Sequence, residues 1–295
     1  MNIVFRVNGG IGKCIASTAV CKAIKKKHPD SNLIVISGYP EVYINNPNVY
    51  KSFHFNNVQY FYTDFLEGKK YKLFLHDPYE ETAYSQQNSH LLKIWCDMYD
   101  IPYKGEQPEL FLTKREVEFN QKRYSFNKPV LLLQSNGGAD QNLKYNYSRD
   151  LPICVVDEII KEFQKDYDIV HVRREDQIGY NGTIPLTGGF REVMSIAMMS
   201  DKRLLIDSFL QHGCAALGLP STVCWINTKP SVFGYKLHDN ILANPYNAEP
   251  DYKSSFILKV DFSGNPSMFP YQSEQDIFDV KTIIQSLKSE VKAKN

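Results

Sequence analysis

Hydrophobic positions follow two rhythms along this chain. Short, nearly unbroken apolar runs, the mark of strands covered on both faces, occupy residues 2–7, 33–37, 73–76, 130–134, 168–172, 204–206 and 223–226. Between them, apolar residues recur three and four apart over 14–27, 89–99, 113–124, 155–163, 191–199 and 276–291, which predicts helices. Strand and helix alternate, so the class is α/β with parallel sheets. A fresh buried strand starts after Phe126-Asn127-Lys128-Pro129 and repeats the strand, glycine loop, helix order of residues 2–27. The expected domains are therefore 1–126 and 127–275, both Rossmann-like, with the last helix (276–295) packing back on the first.

The polar residues gather at the carboxyl ends of the predicted strands, where open α/β sheets bind ligands. The first strand leads into Asn8-Gly9-Gly10-Ile11-Gly12-Lys13, a loop at a helix N-terminus. Its glycines suit either a close backbone approach to an anion or a tight strand-to-helix turn. The stretch 77–90 is polar and carries Asp77, Glu81 and His90, each a candidate general base or a solvated loop residue. The second half repeats the pattern with Ser135-Asn136-Gly137-Gly138, followed by Lys144 and Arg149, and with Arg173-Arg174-Glu175-Asp176. The sharpest cluster is in LLIDSFLQHGCAALGLP, residues 204–220. A buried strand ends in Asp207 and Ser208, a helix starts with Ser208 as its expected cap, and His212 lies one turn on, on the face of Ser208. Such a helix mouth can hold a phosphate.

Composition narrows the choice. A net charge of +1 without a long basic stripe gives no support for nucleic-acid binding. No apolar run reaches the length of a membrane span and the N-terminus lacks a secretory pattern, so a cytoplasmic protein is expected. The six cysteines are scattered without a C-x-x-C pair and read as reduced thiols. GGIGK at 9–13 is similar to a nucleotide triphosphatase P-loop but fails in detail. Val7 stands where the first glycine belongs, and Cys14 replaces the Ser or Thr that holds magnesium.

Taken together, Asp207-Ser208-Phe209-Leu210-Gln211-His212, the following Ala215-Ala216-Leu217-Gly218-Leu219-Pro220, the lead-in Leu186-Thr187-Gly188, the second glycine loop with its following Lys or Arg, and the strand, glycine loop, helix and proline of Asn2 to Pro29 resemble glycosyltransferases of the heptosyltransferase-like class. The resemblance covers most of the chain. It implies a GT-B fold, two Rossmann-like domains facing across a cleft, and transfer of a sugar from a nucleotide-sugar donor to a hydroxyl acceptor without a metal or other cofactor. By position it implies that Asp207, Ser208 and His212 contact the donor's sugar and pyrophosphate. Ser135, Asn136 and Lys144 or Arg149 would contact phosphates, with Arg173 beside them, and Glu175 would lie near the ribose. Two residues depart from the pattern. Phe209 replaces a glycine, and Lys13 stands where the family often carries a catalytic aspartate. The base then comes from Asp77, Glu81 or His90, or is missing, and Lys13 becomes a candidate for binding an anionic acceptor or the donor phosphates together with Gly9, Gly10 and Gly12. Two alternatives stand beside this: a P-loop-like ATPase at 9–13, and a nucleotide-sugar-binding protein without turnover.

Overall fold

The computed structural model describes residues 1–137, 149–226, 228–244, 271 and 273–289. Its contacts divide the chain into two units, Met1–Leu112 with Ala215–Leu217, and Thr113–Cys214 with the chain from Gly218 onward. Each holds one parallel sheet.

The first unit runs β1 (Asn2–Val7), α1 (Ile11–Lys27), β2 (Asn32–Ser37), β3 (Lys51–His54), α2 (Phe61–Phe65), β4 (Tyr71–Phe74), α3 (Thr82–Ser85) and α4 (Leu91–Asp97). The strands lie in the order β3-β2-β1-β4. Ile3, Phe5 and Val7 of β1 are fully buried, as are Ile15, Ala19 and Ile24 of α1. Phe5 also meets Trp95 of α4 edge-on, with ring centroids 5.3 Å apart. Three lysines close α1, where the helix dipole favours cations. On the edge strand β4, Tyr71 and Leu73 stay nearly half exposed.

The second unit runs α5 (Lys114–Arg123), β5 (Val130–Leu133), α6 (Ile153–Phe163), β6 (Asp168–Val172), β7 (Thr183–Leu186), α7 (Phe190–Met199), β8 (Lys202–Ile206), α8 (Phe209–Ala216), β9 (Thr222–Trp225), α9 (Pro230–Phe233), β10 (Asp239–Leu242) and α10 (Val280–Lys288). The sheet order is β10-β9-β8-β5-β6-β7. Every residue of β5 is buried, as its unbroken apolar run predicts. No helix among the described residues is long and apolar enough to cross a membrane.

The unit division lies earlier in the chain than the expected boundary. The division falls between Leu112 and Thr113, not at 126–127. The reason lies in α5. Thr113 and Glu116 form a capping box at its start, and Glu116 then pairs with Arg191 of α7, while Arg123 pairs with Glu192. These bonds make α5 part of the second unit. Within the second unit, Ile283 and Leu287 of α10 share a buried cluster with Val156, Ile159 and Phe163 of α6.

The Arg191 guanidinium beside Glu116 holds its carboxyl down at about 2, from an ordinary 4.5. A depressed carboxyl contributes stability above its unfolded value and loses it as pH falls through the folded one. Glu116→Gln is therefore expected to lower the thermal midpoint at pH 7, with the gap to the parent closing between about pH 4.5 and 2. Calorimetric scans over that range check it; a gap that persists at pH 2 would show that the pair is not the cause.

Candidate active site

In both sheets the strand order reverses beside the first strand. The chain leaves β1 for β2 and β3 on one side, then returns to place β4 on the other. It leaves β5 for β6 and β7, then returns with β8. Ligand crevices in open α/β sheets form at the carboxyl ends of the two strands that flank such a reversal. Here those ends are the residues that follow β1 and β4, and those that follow β5 and β8.

After β1 the backbone turns through Gly9, whose φ of +93° is the left-handed region that favours glycine, and α1 begins beyond Gly10 without a side-chain cap. Gly9 and Gly10 are exposed, and Gly12 lies in the first turn. Lys13 turns inward. It is only 7% exposed, and its Nζ donates to both carboxylate oxygens of Asp77, three residues beyond β4. The pairing follows from topology, because β1 and β4 are neighbours in register, Phe5 opposite Phe74. Asp77 also accepts the Tyr79 backbone N–H at 3.0 Å, and the Lys13 ammonium sits 3.9 Å from the Tyr79 ring centroid. Burial pushes the Lys13 amine below its ordinary value, against the pull of Asp77. With its charge met by Asp77, Lys13 is not a free anion receptor, and the glycine loop lacks the outward lysine that a P-loop needs. The ATPase alternative has no support in this geometry.

The other two base candidates are placed differently. Glu81 is exposed at the start of α3 and makes no side-chain capping bond. His90 heads α4, where its Nδ1 accepts the Leu92 N–H at 3.3 Å, so the ring serves as a cap.

In the second unit, β5 leads to Gln134-Ser135-Asn136-Gly137. The hydroxyl of Ser135, fully buried, donates to Asn136 Oδ1 at 2.7 Å and lies 2.8 Å from His171 Nε2 on β6. Burial holds the His171 imidazole down at about 4, neutral at pH 7. Asn136 in turn donates to Asp150 at 3.0 Å, and Asp150 accepts the Gly137 N–H at 2.7 Å. The side chains of Ser135 and Asn136 are buried and hydrogen-bonded within the loop and to Asp150 and His171. What the loop presents is Gly137, against which the stem of Arg149 packs; a Cβ there would come within 2.7 Å of Arg149 Cδ. Lys144 lies outside the described residues.

Across the strand reversal, β8 ends in Asp207 and Ser208, and α8 starts at Phe209. Asp207 is buried, accepts a bond from the Thr228 hydroxyl, and lies within electrostatic reach of Arg149. Burial raises its carboxyl above the usual range, with Arg149 and Thr228 opposing. Ser208 Oγ accepts from Gln134 Nε2 at 3.1 Å, which joins the two loops. One turn along α8, His212 Nδ1 lies 2.8 Å from the Tyr235 hydroxyl. Gly137, Arg149, Asp207, Ser208 and His212 therefore share one sheet edge, beside the first N–H groups of α8, which by helix geometry have no partner within the helix. Arg173 and Glu175 follow β6 in a segment that Gln177 ties to the Gly137 carbonyl at 2.6 Å. The Arg173 guanidinium donates to the Arg174 carbonyl at 3.1 Å, and Glu175 is exposed. Gln134 and Tyr235 went unread in the sequence, since amides and phenols carry no pattern of their own.

No family model and no curated protein matches the sequence. Solved structures do. A glycosyl transferase family 9 protein from Veillonella parvula superposes with a TM-score of 0.65 over 97% of this chain and 95% of its own, at 13% identity. The E. coli ADP-heptose LPS heptosyltransferase II gives 0.64 over 82% and 90%, at 11% identity. The E. coli heptosyltransferase WaaC, solved with ADP-2-deoxy-2-fluoro heptose, gives 0.54 over 97% and 99%, at 10% identity. The fold is that of the heptosyltransferases.

Set on the heptosyltransferase fold, the two departures in the sequence have different outcomes. Lys13, at the position where the resemblance expects a carboxylate, pairs with Asp77 at the same strand reversal. Phe209, in place of a glycine, points its ring toward Phe190, with centroids 6.5 Å apart. Among the described residues no group of three or more His, Cys, Asp or Glu side chains could hold a metal ion.

Proposed function

We propose that this protein is a glycosyltransferase that moves a sugar from a nucleoside-diphosphate sugar to a hydroxyl acceptor. The observation that carries the reading is the placement of a paired carboxylate at one strand reversal and a helix mouth with a nearby arginine at the other, on a heptosyltransferase fold. The WaaC structures contain ADP or an ADP-heptose analogue, which supports a nucleotide-sugar donor here.

The acceptor oxygen forms a bond to the anomeric carbon while the bond from that carbon to the diphosphate breaks. The hydroxyl proton passes to Asp77, and the electron pair leaves on the nucleoside diphosphate. Asp77 acts as the base, oriented by Lys13 and the Tyr79 N–H. The N–H groups heading α8 and the Arg149 guanidinium meet the charge of the leaving diphosphate, so the transfer needs no metal. Asp207 and His212 hold the donor's hydroxyl and phosphate groups.

A thermal-shift screen tests the reading. Wild-type protein is expected to be stabilised by one nucleoside diphosphate and its sugar conjugate, equally with magnesium or with EDTA. Stabilisation only by ATP with magnesium would overturn it.

A further inference from the structure

Gln134 directly follows β5, at the strand reversal of the second unit. Its backbone N–H donates to the Leu204 carbonyl at 2.9 Å, which carries the pairing of β5 with β8 one residue past the end of β5. The residue is 3% exposed. Its side-chain Nε2 lies 3.4 Å from the Asn136 carbonyl oxygen and 3.1 Å from Ser208 Oγ, and its Oε1 is buried with no hydrogen-bond partner. The Asn136 carbonyl fixes which end of the amide is which. A carbonyl can only accept, so the NH2 group faces it, and the same NH2 group then faces Ser208. Exchanging the two ends would set one carbonyl oxygen against another. The amide keeps its sense although this leaves Oε1 unpaired.

That sense decides the chemistry of Ser208. A serine hydroxyl has one proton and two lone pairs. One lone pair takes the Gln134 N–H, so the proton is turned away from the amide. Ser208 makes no other side-chain hydrogen bond among the described residues, so no protein group there takes that proton. Ser208 is partly exposed, whereas Gln134 is buried. The first N–H groups of α8, which have no partner within the helix, follow Ser208 in the chain. A hydroxyl left only to donate, beside N–H groups that only donate, suits a ligand edge that only accepts, and the oxygens of a diphosphate are such an edge. A serine without this restraint would present its lone pairs to those oxygens part of the time and would have to be turned on binding.

We infer that Gln134 is a positioning residue of the donor site: it holds Ser208 as a hydrogen-bond donor toward the diphosphate without touching the diphosphate itself. This rests on the glycosyltransferase reading and adds to it a residue that acts through another.

The test is a double-mutant cycle in the full chain, read by isothermal calorimetry. The parent is titrated with ADP, GDP, UDP, CDP and dTDP, and the tightest of the five is the probe for the variants. Ser208→Ala is expected to weaken it about tenfold, the loss of one hydrogen bond to a charged group. Gln134→Met keeps the length of the side chain and removes the amide, and should weaken the probe about threefold. In the Ser208→Ala background the same change should cost less than about 1.5-fold, because no hydroxyl is left to orient. Thermal midpoints confirm that each protein is folded, and Gln134→Leu takes the place of Gln134→Met if the latter is not. Equal losses in the two backgrounds would show a tie that only holds the loops together, and would overturn the inference. Full affinity in Gln134→Met would overturn it too. In both cases the probe still binds the parent and the transferase reading stands. No binding of any of the five to the parent sinks that reading and the inference with it.

Discussion

Asp77→Asn is expected to lower turnover by about 10²–10⁴-fold, the usual contribution of a positioned general base, while leaving donor affinity within about twofold of the parent. The substitution also leaves Lys13 buried against a neutral amide, and an uncompensated buried charge destabilises a fold. Two controls separate the effects. Lys13→Met/Asp77→Asn removes both charges and should recover the thermal midpoint but not the turnover. Lys13→Asp/Asp77→Lys exchanges the pair, placing the carboxylate at the position where the resemblance expects it. Partial recovery of turnover in the exchanged protein is the expected result, measured as donor consumed in the presence of acceptor. If Asp77→Asn keeps full turnover, the base is elsewhere and Glu81 becomes the next residue to change.

His212→Ala should weaken the nucleoside diphosphate by about tenfold or more, equivalent to at least about 1.4 kcal/mol. His212 is 7% exposed and sits one turn into α8, where its Nδ1 is held by the Tyr235 hydroxyl. Tyr235→Phe removes that restraint and keeps the ring, so it should cost a smaller factor in affinity with little change in thermal midpoint. Isothermal calorimetry on the three proteins reads both values. Unchanged affinity in His212→Ala would remove the residue from the donor site.

The central strands were legible because burial on both faces leaves an unbroken apolar run, as in Val130–Leu133. Three short outer strands, β3, β7 and β10, were not. They read KSFH, TIPL and DNIL, with polar residues or a proline that only an edge position tolerates. Asp207 and Ser208 could be found because a strand-to-helix junction announces itself locally. Their partners could not, since Thr228 and Gln134 come from 21 and 74 residues away. Lys13 and Asp77 each stood out as candidates, yet their pairing depends on β4 lying beside β1, which no local pattern reveals. The helix at 113–124 was legible, but the unit to which it belongs depends on the distant pair of Glu116 with Arg191.

The exposed edge strand β4 has a consequence for handling the protein. An open edge with Tyr71 and Leu73 half uncovered is a template on which another extended chain can hydrogen-bond. The sequence there is KKYKLF, so Lys69, Lys70 and Lys72 bracket the two apolar residues, and all three are exposed. Lysines at an edge act as gatekeepers, because a second copy added alongside would bring like charges together. The colloidal stability of the first unit therefore depends on three ammonium groups. Lysine acetylation, reductive methylation that adds bulk without removing charge, and high salt act on this strand in different ways, and only the first strips the guard outright.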